Sequence, residues 1–181
     1  FLFNTLNNIF AIARKYEDPR LADSLSMLSH LMRYMIYENN QEKVALNKEI
    51  KYINDFIELH KLRLTENQIK GITFTSSGET NLYLIAPFLL IPFVENAFKY
   101  SPSNTQNSTV DVSLEIVKDV LNFSVINTIN RNIADNPENK NGTGLNNVKR
   151  RLALLYPNNH TLNIKPSKKA FKIYLTIRLN K

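Results

Sequence analysis

The sequence predicts an α+β protein, a helical hairpin followed by an α/β sandwich in which helices cover one face of a mixed sheet. Three observations predict it. Apolar residues recur every three or four positions through the first third of the chain. From Gly71 onward short segments alternate apolar and polar side chains instead. That alternation leaves one face of the sheet wet, as expected where helices are confined to the other face.

The helical third is read from its stripes. Phe3, Leu6, Phe10 and Ala13 share one face. Asp18-Pro19 then supplies an N-cap and a first-turn proline, so a new helix or a kinked continuation begins there. Leu21, Leu25, Leu28, Met32 and Met35 form the next stripe, closed by Asn39-Asn40-Gln41. Asn47 is the expected N-cap of a third helix carrying Ile50, Ile53 and Ile57. Stripes this narrow must bury their seam, either in a dimeric four-helix bundle or against the rest of the chain.

The remainder reads as strands with helices between them. Ile72 to Ser76 is a short strand, and Pro87 is expected to open a helix running through Lys99. Val110, Val112, Leu114 and Ile116 alternate with Asp111, Ser113 and Glu115, a half-buried strand that turns at Lys118-Asp119 into a second, Val120 to Asn127. Thr128 to Asn141 is polar and reads as a long loop. Leu145, Val148, Leu152 and Leu155 mark a helix stopping before Pro157, and Thr161 to Lys165 and Ala170 to Leu179 are the last strands. The expected division is residues 1–67, helical, and 68–181, the sandwich.

The 181 residues suffice for a core without staples, and the absence of cysteine excludes disulfides and thiol chemistry. No apolar run reaches the ~20 residues of a membrane span. The chain opens inside an amphipathic pattern, which reads as a fragment. A net charge of +7 permits an anionic partner. The bases are scattered and no nucleic-acid motif accompanies them, so no direct nucleic-acid contact is expected.

Two motifs can carry chemistry. In Val94-Glu95-Asn96-Ala97-Phe98-Lys99-Tyr100, Asn96, Lys99 and Tyr100 fall at i, i+3 and i+4. A carboxylate, an amide oxygen and an ammonium so close suit a magnesium ion and the phosphates it neutralises. An ordinary exposed face with a Glu95–Lys99 ion pair explains them equally well. The second motif, Asn141-Gly142-Thr143-Gly144-Leu145-Asn146-Asn147, holds two of the four glycines directly before a helix. Glycine permits close approach of a ligand, and the helix N-terminus offers unpaired N–H groups to an anion. It fits neither the P-loop nor the Rossmann fingerprint, and it could simply end a loop.

In this order, separated by two strands and a polar loop, the two motifs resemble the N-box and second glycine box of the GHKL (Bergerat) ATPases. Phe1-Leu2-Phe3-Asn4-Thr5-Leu6-Asn7, Leu28-Ser29 through Arg33-Tyr34, and Tyr52-Ile53 through Glu58-Leu59 and Arg63 are similar to the LytS/YehU-type sensor histidine kinases. Leu155-Tyr156-Pro157 resembles members that act with LytTR-type regulators. The resemblance implies the cytoplasmic catalytic core of a two-component kinase using ATP and Mg²⁺. Asn96 would ligate the metal and Glu95 would orient or activate the reacting group. Lys99 and Tyr100 would contact phosphate and nucleotide, and Gly142, Thr143, Gly144, Leu145 and Asn147 would cradle phosphates beneath a lid of residues 128–141. It further implies a homodimer through the N-terminal helices, a response-regulator partner, and a cytoplasmic position beneath an inner-membrane anchor upstream.

Two departures follow. Where related ATPases have an Asp-x-Gly-x-Gly box, this chain reads Val125-Ile126-Asn127-Thr128-Ile129-Asn130. Asn127 can still accept from an adenine amino group, at a loss of about 1 kcal/mol, or about fivefold in affinity. On charge alone, Asn127→Asp should tighten ATP binding. The acceptor histidine of the family immediately precedes the Phe-Leu-Phe-Asn motif, hence Phe1. His30, His60 and His160 are poor substitutes, being read as a helix-surface, an interfacial and a turn residue. The competing readings are a nucleotide-weak signalling scaffold and a GHKL ATPase of another kind.

Overall fold

The computed structural model describes residue 5 and residues 20–101, 108–129, 143–167 and 169–179. The stripe from Phe3 to Ala13 and the Asp18-Pro19 start lie outside these residues. Helix α1, Arg20–Tyr37, ends in a turn over Glu38–Asn40, ahead of Gln41. A two-residue strand β1, Val44–Ala45, leads directly into α2, Leu46–Lys61. Asn47 is therefore inside α2 and is not its cap. The first N–H of the helix donates instead to Tyr83 O at 2.9 Å, because β1 pairs with β3, Leu84–Ile85. Asn47 donates its side-chain amide to Asn81 Oδ1 at 2.9 Å.

After a four-residue helix, α3, Glu66–Ile69, the main sheet begins with β2, Ile72–Ser77. It runs parallel to β4, Val110–Val117. Parallel pairing demands a crossover, and residues 78–109 supply it, carrying α4, Ile91–Tyr100. The start of α4 differs from expectation. Pro87 does not open it; Pro92 occupies its first turn, and Phe88 takes a left-handed φ of 55° that no helix can include.

β5, Val120–Thr128, pairs antiparallel with β4 through a two-residue turn. Lys118 and Asp119 both have positive φ, the twist that a tight hairpin needs. Helix α5, Thr143–Leu155, precedes β6, His160–Pro166, and β7, Ala170–Arg178. The five-stranded order is β2-β4-β5-β7-β6.

The pleat sorts side chains as the alternation requires. Val110, Val112, Leu114, Leu121, Phe123, Val125, Ile173, Leu175 and Ile177 are buried under the helices, while Thr73, Asp111, Glu115, Asn163 and Arg178 face water. Gly71 and Gly78 are required by packing. An added Cβ would sit 2.2 Å from Ser108 O or 2.7 Å from Ile116 O. The stripe on α1 divides. Leu28, Leu31 and Tyr34 are buried, with α2 packed alongside, whereas Leu25 and Met32 are each 46% exposed and Ile36 is 64% exposed. Leu155, placed on the apolar face of α5, is 51% exposed, while Val148 and Leu152 of the same helix are buried.

Candidate nucleotide site

Helix α4 turns Phe93, Val94 and Ala97 into the core, which leaves Glu95, Asn96, Lys99 and Tyr100 on its outer flank. The Glu95–Lys99 ion pair does not form. Lys99 Nζ instead lies 5.1 Å from the centre of the Tyr100 ring. Glu95 reaches solvent, yet neighbouring atoms desolvate its carboxyl and raise its pKa above the usual carboxylate range. α2 lies along this flank. Phe56 and His60 pack on Phe98 at 5.8 Å and 4.6 Å, and burial followed by the Glu95 charge raises the Tyr52 hydroxyl.

Asn127 is the last inward residue of β5 and is 1% exposed. Its Nδ2 donates to Thr128 O at 2.8 Å, but its Oδ1 is buried with no hydrogen-bond partner among the described residues. The carbonyl fixes the amide orientation, because a flipped amide would set two acceptors face to face. The next residue reaches the end of α4: Thr128 Oγ1 is 3.4 Å from Ser101 Oγ, and Ser101 directly follows Tyr100. The alternating strand and α4 thus converge where a buried acceptor has no partner among the described residues.

The glycine box is seen in part. Gly142 and residues 130–141, which include all of the expected lid beyond Thr128 and Ile129, lie outside the described residues. Thr143 opens α5, and Gly144, Asn146 and Asn147 of its first turn are exposed, with Leu145 half-buried. A Cβ on Gly144 would meet nothing within 4 Å, so protein packing does not require glycine there. α5 packs against α4 and is pinned beside it at its other end. Arg151 donates to Pro87 O at 2.6 Å and Phe88 O at 3.0 Å, and Tyr156 Oη accepts from Ala86 N–H at 2.9 Å. No cluster of three His, Cys, Asp or Glu forms among the described residues. A cleft of about 620 Å³ between α1 and α2, lined by His30, Arg33, Tyr37, Lys48 and Lys51, contains none of the residues of the two chemistry-bearing motifs around Asn96 and Gly144.

Residues 1–68 match the histidine kinase family. Over 126 residues the chain is 29% identical to the sensor protein kinase HptS of Staphylococcus aureus, covering 69% of this chain and 23% of HptS. Its fold is similar to the catalytic domain of the histidine kinase ThkA, with a TM-score of 0.52 at 14% identity over 75% of this chain and 93% of that one. The chain is thus similar to histidine kinases in the sequence of residues 1–68 and to their catalytic domains in fold. Full-length ShkA, solved in complex with AMPPNP, is also similar, with a TM-score of 0.51 at 16% identity over 90% of this chain and 36% of ShkA. The chain spans about a quarter of the length of the curated sensor kinases it matches.

The motifs overlooked two residues that hold the site's framework, Glu49 and Arg151. Glu49 is wholly buried on α2 and accepts from Tyr34 Oη at 2.5 Å, Phe88 N–H at 2.7 Å and Leu90 N–H at 3.4 Å. Burial raises its pKa, opposed by those hydrogen bonds. Its signal was present: Leu46, Glu49, Ile53 and Phe56 share the apolar face of α2, and a carboxylate on such a face needs donors. Arg151 has no comparable signal, since it sits in the basic run Lys149-Arg150-Arg151, whose other two members are exposed. His60 is stacked within its own chain on Phe98, and His30 pairs with Asp55 at 2.9 Å.

Proposed function

We propose that the chain binds Mg-ATP between α4, the end of β5 and the N-terminus of α5, and supports transfer of the γ-phosphoryl group to a protein histidine. The observation that carries this reading is the unmet Oδ1 of Asn127, an acceptor suited to an exocyclic amino group of a purine. Bound magnesium would neutralise phosphate charge, and phosphoryl transfer is mainly positioning and charge neutralisation. Asn96 would hold the ion through its amide oxygen. Lys99 would pair with phosphate, Tyr100 would contact the nucleotide, and the N–H groups of the first turn of α5, Thr143 to Asn146, with Gly142 before them and Asn147 close by, would receive phosphate oxygens. Glu95, its pKa raised by desolvation, is suited to orient or accept a proton from the reacting group.

By the family resemblance, the acceptor histidine would lie directly before Phe1. Residues 1–67 would form the dimerisation and phosphotransfer region and 68–181 the catalytic domain. The exposed Leu25, Met32 and Ile36 on α1 supply an apolar face for a homodimer. A response regulator, of LytTR type by the same resemblance, would take the phosphoryl group, and a membrane anchor would lie upstream. Among the described residues no helix is long and apolar enough to cross a membrane.

The test is incubation with γ-labelled ATP of a chain extended upstream through that histidine. Acid-labile, alkali-stable label that disappears in Asn96→Ala supports the kinase reading. Nucleotide binding without any such label overturns it in favour of a signalling scaffold.

A further inference from the structure

The Arg33-Tyr34 motif lies outside the nucleotide site, yet Tyr34 reaches toward it through a buried chain of hydrogen bonds. α4 has no side-chain cap of its own. Its entry is held from outside: Glu49 of α2 accepts from the N–H groups of Phe88 and Leu90, and Arg151 of α5 donates to the carbonyls of Pro87 and Phe88. Phe88 is in the left-handed region with φ 55°, a conformation that persists for a bulky residue only where its surroundings hold it. Both backbone polar groups of Phe88 are held, each by a different helix.

Tyr34 completes the arrangement from α1. Its hydroxyl donates to the same Glu49 oxygen that accepts from Phe88 N–H. Its ring packs against Tyr52 at 4.8 Å and Phe88 at 5.0 Å, and Tyr52 packs against Phe88 at 5.5 Å. Burial and then the Glu95 and Glu49 charges raise the Tyr52 hydroxyl, so this aromatic cluster lies close to the N-box carboxylate as well.

We propose that Tyr34 and Glu49 are positioning residues: they tie α1 to the entry turn of α4, so that α1 governs how firmly Glu95, Asn96 and Lys99 are held for nucleotide. This rests on the nucleotide-site reading above. Tyr34 contributes a single hydroxyl to the chain, and Tyr34→Phe removes it while leaving the ring packed. Glu49→Gln keeps the shape but removes the charge and replaces one of the two acceptor oxygens by an NH₂ group, which cannot accept from a backbone N–H.

The test compares wild type, Tyr34→Phe, Glu49→Gln and the double variant by Mg-AMPPNP affinity and by amide hydrogen exchange of residues 91–100. The expected result is that Tyr34→Phe binds nucleotide about fivefold to tenfold more weakly and exchanges faster across α4. The double variant should lose no more than about twofold beyond Glu49→Gln, as coupled partners do. If Glu49→Gln fails to fold, Tyr34→Phe decides alone. A lowered melting temperature with wild-type affinity and wild-type α4 exchange overturns the link, since the hydroxyl then serves stability only. If wild type binds no nucleotide, the site reading fails, and α4 exchange in Tyr34→Phe still supports the link by rising or overturns it by staying unchanged.

Discussion

Replacing Asn127 by Val separates a residue kept for a ligand from one kept for the fold. In the free chain the side chain makes one hydrogen bond, Nδ2 to Thr128 O at 2.8 Å, and leaves Oδ1 buried and unmet. The bond contributes about 1 kcal/mol, and the unmet oxygen costs about 1–3 kcal/mol. Valine removes both, so the stability of the free chain should stay within about 1 kcal/mol of wild type or rise. Nucleotide loses its acceptor and leaves an amino group unpaired, which weakens binding about fivefold to 150-fold. Urea unfolding of the free chain and calorimetric titration with Mg-AMPPNP measure the two effects separately. Loss of more than about 2 kcal/mol of stability with unchanged affinity would refute the reasoning. The same hydrogen bond reverses the expectation for Asn127→Asp drawn from charge alone. A carboxylate oxygen would take the place of Nδ2 against Thr128 O, acceptor facing acceptor, so the aspartate should not tighten nucleotide binding.

Other outcomes follow from the same geometry. Ile36→Glu, at a 64% exposed position on α1, should convert the proposed dimer to monomer in sedimentation equilibrium while leaving the melting temperature within a few degrees. His60 has its pKa lowered from 6.5 to about 4 by burial and then by the Arg63 charge; Arg63 lies 2.7 Å from its Nδ1. The unfolded chain binds more protons between these values, so stability is full above about pH 6.5 and falls as pH drops toward 4, by about 3 kcal/mol at most. Urea unfolding across that window, with His60→Phe flattening the profile, checks the sign. Arg151→Ala removes both donors on Pro87 and Phe88 and should cost about 2–3 kcal/mol in denaturant unfolding.

The sheet was legible because alternation and tight turns are local signals. The residues from Val110 to Asn127 show a strand, a two-residue turn with positive φ and a second strand, as their pattern requires. Helix entries were less legible because distant groups decide them. Asn47 is a good cap by type, but the pairing of β1 with β3 satisfies the start of α2 first. Pro87 is a good first-turn residue, but Glu49 and Arg151 hold the backbone at Phe88 in a turn instead. The site followed the same division. Glu95, Asn96, Lys99 and Tyr100 share a flank because helical spacing places them there, whereas the orphaned acceptor of Asn127 appears only once β5 is buried under α4.

The central claim is that one nucleotide meets α4, the end of β5 and the start of α5 at the same time. Titration of isotope-labelled chain with Mg-AMPPNP, followed by NMR on the side-chain amides of Asn96 and Asn127 and the backbone amides of Gly144 and Leu145, tests it most directly. All four signals should move together along one binding curve, with the Asn127 amide responding to its newly paired oxygen. Unmoved signals at Asn96 and Asn127, or shifts confined to His30, Arg33 and Lys51 in the α1–α2 cleft, would contradict it.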